Sequence, residues 1–191
     1  EITAICGGLN INIGTLNKNT IPSMFLAGKK ANALGHIVLL DPVGAGASRL
    51  RTDTANRLMQ EVRFDAVRGN ISEIKTLCTG SGSTKGVDAD AVDAVTEANL
   101  DDGVQLVKAF AQKTGCIIAV TGAIDLVSDG ERCWCIRNGR AEMSRITGTG
   151  CQLSALMTAF LVANPDRKLD AAAAAVCMMG LAGEIGWANM Q

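Results

Sequence analysis

Apolar residues along this chain fall into two kinds of run, and the contrast between them predicts the fold. Residues 36–40 (HIVLL) and 116–120 (CIIAV) are nearly unbroken apolar runs too short for a helix, the pattern of strands buried on both faces. Residues 9–16 (LNINIGTL) alternate apolar with polar or small residues and predict a strand ending at Gly14-Thr15. Residues 64–67 predict a shorter strand that runs out at Arg68-Gly69-Asn70. Helical stretches lie between them: 21–34 with Pro22 near its first turn, 52–62 with Asp53 and Thr54 in its first turn, an Asn70-capped helix through Cys78, and one from Asp101 or Asp102 through 114. Strand alternating with helix predicts a parallel sheet with helical crossovers.

After residue 122 the pattern changes. Residues 126–128 and 132–136 flank Asp129-Gly130, a hairpin signal, so the later strands are expected to run antiparallel. Residues 149–163 and 170–187 read as helices. The fold class is α/β: a mostly parallel central sheet flanked by helices, with a late antiparallel hairpin. The Thr/Gly/Ser run 79–86 reads as a loop. No repeat or Pro-rich linker divides the chain, so 1–191 reads as a single domain.

Composition narrows the function classes. With 191 residues, 48% hydrophobic and 19% charged, the chain can bury a full core and is far from disordered composition. Its 18 Lys+Arg against 19 Asp+Glu remove the electrostatic motive for nucleic-acid or anionic-membrane partners, and neither is expected. The longest apolar stretch, 171–183, falls short of the ~18 residues a membrane helix needs, so no spanning segment is expected. There is no signal-peptide pattern, and Glu1 in place of an initiator Met fits a chain that begins inside a longer protein. The 7 cysteines are an odd number without Cys-x-x-Cys spacing, and His36 is the only histidine, which fits free thiols in the cytoplasm. His36 reads as structural, which leaves no Ser-His-Asp triad; Cys133, Cys135, Met178 and Met179 read as packing residues.

The predicted strand ends carry Gly14-Thr15, Asp41-Pro42-Val43-Gly44, Arg68-Gly69-Asn70 and Thr121-Gly122, at the edge where open α/β sheets bind ligands. The segment 146–151 (ITGTGC) stands directly before an apolar helix. Its glycines let backbone approach a ligand, and the free amides of Gly148, Thr149 and Gly150 would form an anion hole. Known glycine fingerprints fail: Gly44-Ala45-Gly46 lacks a third glycine, Gly148-Thr149-Gly150 meets Leu153 where that glycine is due, and Thr84 precedes Lys85 where a P-loop needs glycine.

Phosphoryl transfer needs a cation on the phosphates, donors for developing charge and a proton acceptor. Asp41 and Glu73 are the carboxylates that could hold Mg²⁺, although Asp before Pro is also a turn residue and Glu73 also suits a helix first turn. Arg68 could pair with phosphate oxygens or with a surface acid. Cys151, at a helix N-terminus, is placed for a lowered thiol pKa and could act as base or nucleophile.

Taken in order, NIGTL (12–16), LDPVGAGAS (40–48), VRGNISEI (67–74), VTGAIDLVSDG (120–130) and ITGTGCQLSAL (146–156) resemble the hydroxyethylthiazole kinase family of the ribokinase-like superfamily, over residues 2–188. The resemblance implies ATP- and Mg²⁺-dependent phosphorylation of the primary alcohol of 4-methyl-5-(2-hydroxyethyl)thiazole in thiamine salvage, by a cytoplasmic homotrimer with sites between subunits. By matched position, Asp41 and Glu73 would serve metal and phosphates with Asn70 behind them. Arg68 and Thr121 would bind ATP, Gly148 would contact the substrate, and the amides of 148–151 would form the anion hole. Cys151 falls where most ribokinase-like enzymes place an aspartate base, which implies slow turnover, since a thiol is less ionised at neutral pH. The family's upstream Met-bearing segment and its glycine-rich segment past the last helix do not occur in these 191 residues, which leaves part of the thiazole pocket outside them. Two other readings fit the motifs: a kinase of hydroxymethylpyrimidine or pyridoxal, disfavoured by Arg-Gly-Asn-x-x-Glu and the cysteine, and a non-catalytic nucleotide-binding module.

Overall fold

Six strands form one sheet in the order β1 (Gly8–Asn12), β2 (Ile37–Asp41), β3 (Ala66–Gly69), β4 (Ile117–Val120), β5 (Asp125–Ser128) and β6 (Cys133–Ile136). Strands β1 to β4 pair in parallel, while β5 runs antiparallel to β4 and β6 antiparallel to β5. The structure is a computed structural model that describes residues 1–80 and 94–190. The predicted loop at 79–86 lies, from residue 81, outside the described residues, as do Thr84 and Lys85.

Side-chain alternation divides the core into two layers. Ile11, Val38, Leu40, Val67, Ile118 and Val120 point to one face, among residues of α1 (Thr20–Ala33), α2 (Arg49–Glu61), α3 (Ile71–Thr79) and α4 (Leu100–Thr114). Leu39, Ala66, Ile117, Ala119 and Val127 point to the other, against α5 (Thr149–Ala163) and α6 (Lys168–Ala188). Asn12, Asp41, Arg68 and Thr121 each follow a residue of the first layer, so they turn toward α5 at the carboxyl ends of their strands. Helix α5 is pressed onto β1, where a Cβ on Gly8 would sit 2.5 Å from Val162 Cγ2. Met157 and Leu161 hold it there fully buried. Truncating either to Ala would cost about 2–5 kcal/mol.

Several boundaries differ from the sequence expectation. Strand β1 stops at Asn12, not at 16, because the Asn12 side chain accepts the Gly14 N–H at 2.8 Å and turns the chain. Strand β3 runs Ala66–Gly69 in place of 64–67, which puts Arg68 inside the strand. Helix α2 begins at Arg49, not 52, because Ser48 caps it by accepting the Arg51 N–H; Asp53 and Thr54 therefore lie beyond its first turn.

The expectation that no segment is long and apolar enough to cross a membrane is also corrected. Pro165–Ala188 meets that test, with 24 residues and an 18-residue window of mean hydropathy 1.4, because the helix continues past both ends of the 171–183 run. Leu169, Ala171, Ala172, Ala175 and Val176 are buried in the second layer, so this helix packs on the sheet.

Candidate active site

Asp41 ends β2 and is completely buried. Its Oδ2 accepts hydrogen bonds from Asn12 Nδ2 at 2.9 Å and Ser154 Oγ at 2.8 Å, with Arg68 Nη1 3.8 Å away. Its Oδ1 finds no hydrogen-bond partner among the described residues. Burial pushes the Asp41 carboxyl above its usual range, against the opposing pull of Arg68, Ser154 and Asn12.

Arg68 extends the chain of contacts across the sheet. Its Nη2 donates to Thr121 Oγ1 at the end of β4. Its guanidinium also lies against the first turn of α5, where a Cβ on Gly150 would be 2.6 Å from Nη1 and 2.8 Å from Nη2. Only a glycine lets the cation sit this close to the helix.

The α5 terminus is open. Gly148 is its N-cap at φ +90, a conformation that favours glycine, and the first bond of the turn runs from Gln152 N to Gly148 O at 2.9 Å. The amides of Thr149, Gly150 and Cys151 therefore precede the helical ladder, at the positive end of the dipole and next to Arg68. Cys151 is exposed in the same turn.

Glu73 sits at N3 of α3 in a capping box: Asn70 Oδ1 accepts the Glu73 N–H at 2.8 Å, and Glu73 Oε2 accepts the Asn70 N–H at 2.8 Å. Its other oxygen, Oε1, accepts the Gly44 N–H at 2.8 Å, fastening the loop after β2 to α3. Among the described residues no group of three or more His, Cys, Asp or Glu could enclose a metal ion. The donor set suits Mg²⁺, which keeps waters and is bound by one or two carboxylates together with substrate phosphates.

A cleft of about 580 Å³ opens beside these groups at the ends of β3 and β4, with Arg68, Asn70, Thr121 and Gly150 on one wall and Arg140 on the other. Leu153, Val176 and Met179 make part of its lining apolar. The Arg140 wall is fastened to α6: Asn138 Nδ2 donates to Cys177 O at 2.8 Å, Gly139 N donates to Glu184 Oε1 at 2.8 Å, and the Arg140 guanidinium lies 5.1 Å from the centre of the Trp187 ring. Asp125 also lines the cleft and accepts the Gly122 N–H at 2.8 Å; burial pushes its carboxyl up to about 6.

The structure thus brings Asp41, Arg68, Thr121 and Gly150 into one contact chain, ties Glu73 to Gly44 and Asn70 on the loops that follow β2 and β3, and places Gly148, Thr149 and Cys151 at one helix end. Sequence reading missed Asn12, Ser154 and Asp125. Ser154 had one signal, a hydroxyl four residues before Thr158 on the face that carries Leu153, Met157 and Leu161. Cys133 and Cys135 share a side of β6, and burial pushes the Cys133 thiol up to about 12, as suits a packing residue.

Comparison with known proteins identifies the family. The model of the hydroxyethylthiazole kinase family matches residues 1–191. The chain belongs to the hydroxyethylthiazole kinase family. It is 56% identical over 187 residues to a hydroxyethylthiazole kinase from Clostridium acetobutylicum, covering 98% of this chain and 68% of that protein. The solved hydroxyethylthiazole kinase of Pyrococcus horikoshii superposes with a TM-score of 0.84 at 32% identity, over 98% of this chain and 66% of that one. A ribokinase-like superfamily protein from Enterococcus faecalis shares the fold at TM-score 0.62 and 14% identity, over 94% of this chain and 55% of its own. The chain spans about two thirds of the length of these hydroxyethylthiazole kinases. The kinase class and the ribokinase-like α/β fold read from the motifs therefore stand.

Proposed function

We propose that this chain binds ATP in the cleft between the β3 and β4 ends and the Arg140 wall, and transfers its terminal phosphoryl group to the alcohol of 4-methyl-5-(2-hydroxyethyl)thiazole. One observation carries the reading: Asp41, Arg68 and Thr121, from neighbouring strand ends, meet the open N-terminus of α5 at Gly150. Such a site collects donors and one cation where phosphate charge develops.

The amides of Thr149, Gly150 and Cys151 accept the charge of the transferring phosphoryl group, and Gly148 lets the acceptor approach. Arg68, set by Thr121 and Asp41, neutralises phosphate oxygens from the β3 side. Asp41 and Glu73 would hold Mg²⁺, which would neutralise charge on the phosphates. The alcohol oxygen forms its bond to the γ-phosphorus as the bond to the β-phosphate oxygen breaks, ADP leaves, and the alcohol proton passes to Cys151 acting as the base.

Two features of the wider molecule support the rest of the reading. Met178, Leu181 and Ile185 share an outward face of α6, which suits contact between copies in a homotrimer. The seven free thiols suit a reducing, cytoplasmic setting.

Coupled measurement of ADP release tests the activity. ADP and thiazole phosphate in equal amounts, dependent on Mg²⁺, is the expected result. Mg·ATP binding with no transfer to the thiazole alcohol would leave only a nucleotide-binding role.

A further inference from the structure

We infer that Arg51 is the positioning residue of the acceptor side, clamping the turn after β1 to the loop after β2 so that the two form one wall for the alcohol substrate. The inference rests on the function proposed above. The nucleotide cleft lies on the β3 and β4 side of Asp41, which leaves the ends of β1 and β2 as the other approach to the α5 terminus. That approach consists of two glycine turns, Gly14 and Gly44, with few side chains of their own to hold their shape.

Both turns are gripped by the same guanidinium. Gly14 donates its N–H to Asn12 Oδ1 at 2.8 Å, and its carbonyl accepts from Arg51 Nη2 at 3.0 Å. Gly44 donates its N–H to Glu73 Oε1 and adopts φ +72, with Arg51 lying across its open side. A Cβ there would collide with Arg51 Nη1 and come within 3.0 Å of Cδ.

Arg51 itself is set by the first turn of α2, where its N–H bonds Ser48 Oγ at 3.4 Å. Its neighbour Thr52 accepts the Gly46 N–H at 2.9 Å, so consecutive residues of one helix hold the same loop at two points. Among the described residues no carboxylate pairs with Arg51, so its donors serve the turns. A planar guanidinium can cover a glycine peptide and donate in its plane at the same time, which an ammonium on a flexible stem cannot do. Arg51 itself touches only the two turns; the Gly44 N–H to Glu73 is the one contact of this set that reaches the phosphate side, and Arg68 serves the nucleotide there.

The test is steady-state kinetics of the intact protein with the thiazole alcohol and Mg·ATP. Arg51→Ala is expected to raise the KM for the alcohol tenfold or more, with the KM for ATP within twofold of wild type. Arg51→Lys, which can still reach the Gly14 carbonyl, should fall between the two. Gly44→Ala should reproduce the defect by displacing the guanidinium. An unchanged alcohol KM in folded Arg51→Ala, or a parallel rise in both KM values, overturns the inference. If the Ala variant does not fold, Arg51→Lys decides alone: a selective rise in alcohol KM supports the clamp, and no rise or a parallel one rejects it. A wild-type protein inactive toward the alcohol would reject the functional reading and the clamp together, whereas an active wild type with kinetically silent variants rejects only the clamp.

Discussion

Ser154 Oγ donates to Asp41 Oδ2 at 2.8 Å, a fully buried hydrogen bond joining α5 to the end of β2 across 113 residues of sequence. It fixes the helix whose terminus handles phosphate to the strand whose carboxylate faces it. Ser154→Ala would leave a buried carboxylate short of one donor, a cost of about 1–3 kcal/mol. Urea denaturation should show that loss, and turnover should fall with it. Ser154→Thr, which keeps the hydroxyl, should recover most of both.

Gly150→Ala tests the contact between the helix and Arg68. Alanine favours a helix by about 0.8–1.0 kcal/mol over glycine, yet its Cβ would lie 2.6 Å from Arg68 Nη1. The expected outcome is a melting temperature near wild type together with an ATP KM raised at least tenfold. An unaltered ATP KM would show that Arg68 does not need its present position.

Asp125 gives the protein a pH dependence of definite sign. Its carboxyl titrates at about 6 when folded against 3.8 in the reference state, with burial as the cause. Between those values the folded state holds the extra proton, so stability falls as pH rises through the window and the contribution is constant above it. The effect is on the order of 2–3 kcal/mol. Asp125→Asn retains an oxygen for the Gly122 N–H without the charge. It should therefore be more stable than wild type at pH 8, with the difference vanishing near pH 4, as urea titrations at both pH values would measure.

Cys151→Asp should keep or raise the rate at neutral pH, because a carboxylate is ionised where a thiol is only partly so. Cys151→Ala should slow it by about 10²–10⁴, the usual worth of a positioned base. A large loss in the Asp variant would remove Cys151 from the proton-transfer role.

Much of this was legible in the sequence for a local reason. The buried runs at 36–40 and 116–120 announce parallel strands, and Asp129-Gly130 announces the β5–β6 hairpin. Asn70 and Glu73, three residues apart, carry the capping box that the structure contains. What sequence could not supply was long-range or register-dependent. Ser154 meets Asp41, and Arg51 meets Gly14, only because α5 and α2 cover particular strand ends on opposite faces of the sheet. The start of α2 lies three residues ahead of the expected 52 because Asp53 and Thr54 read as first-turn residues, whereas the cap is Ser48. Helix α6 begins at Lys168, two residues ahead of the expected 170, because Asp170 reads as its start and is instead part of its first turn.

The alternation that turns Asp41, Arg68 and Thr121 to one face makes the site subject to a parity rule. One residue inserted into β3 ahead of Arg68 would hand the guanidinium to the α1–α4 layer and an apolar neighbour to the phosphate side. Two inserted residues would restore the face but carry the cation about 6.6 Å along the strand, out of reach of Asp41 and Thr121. The strands of this protein are therefore held to a fixed residue count by the chemistry at their ends.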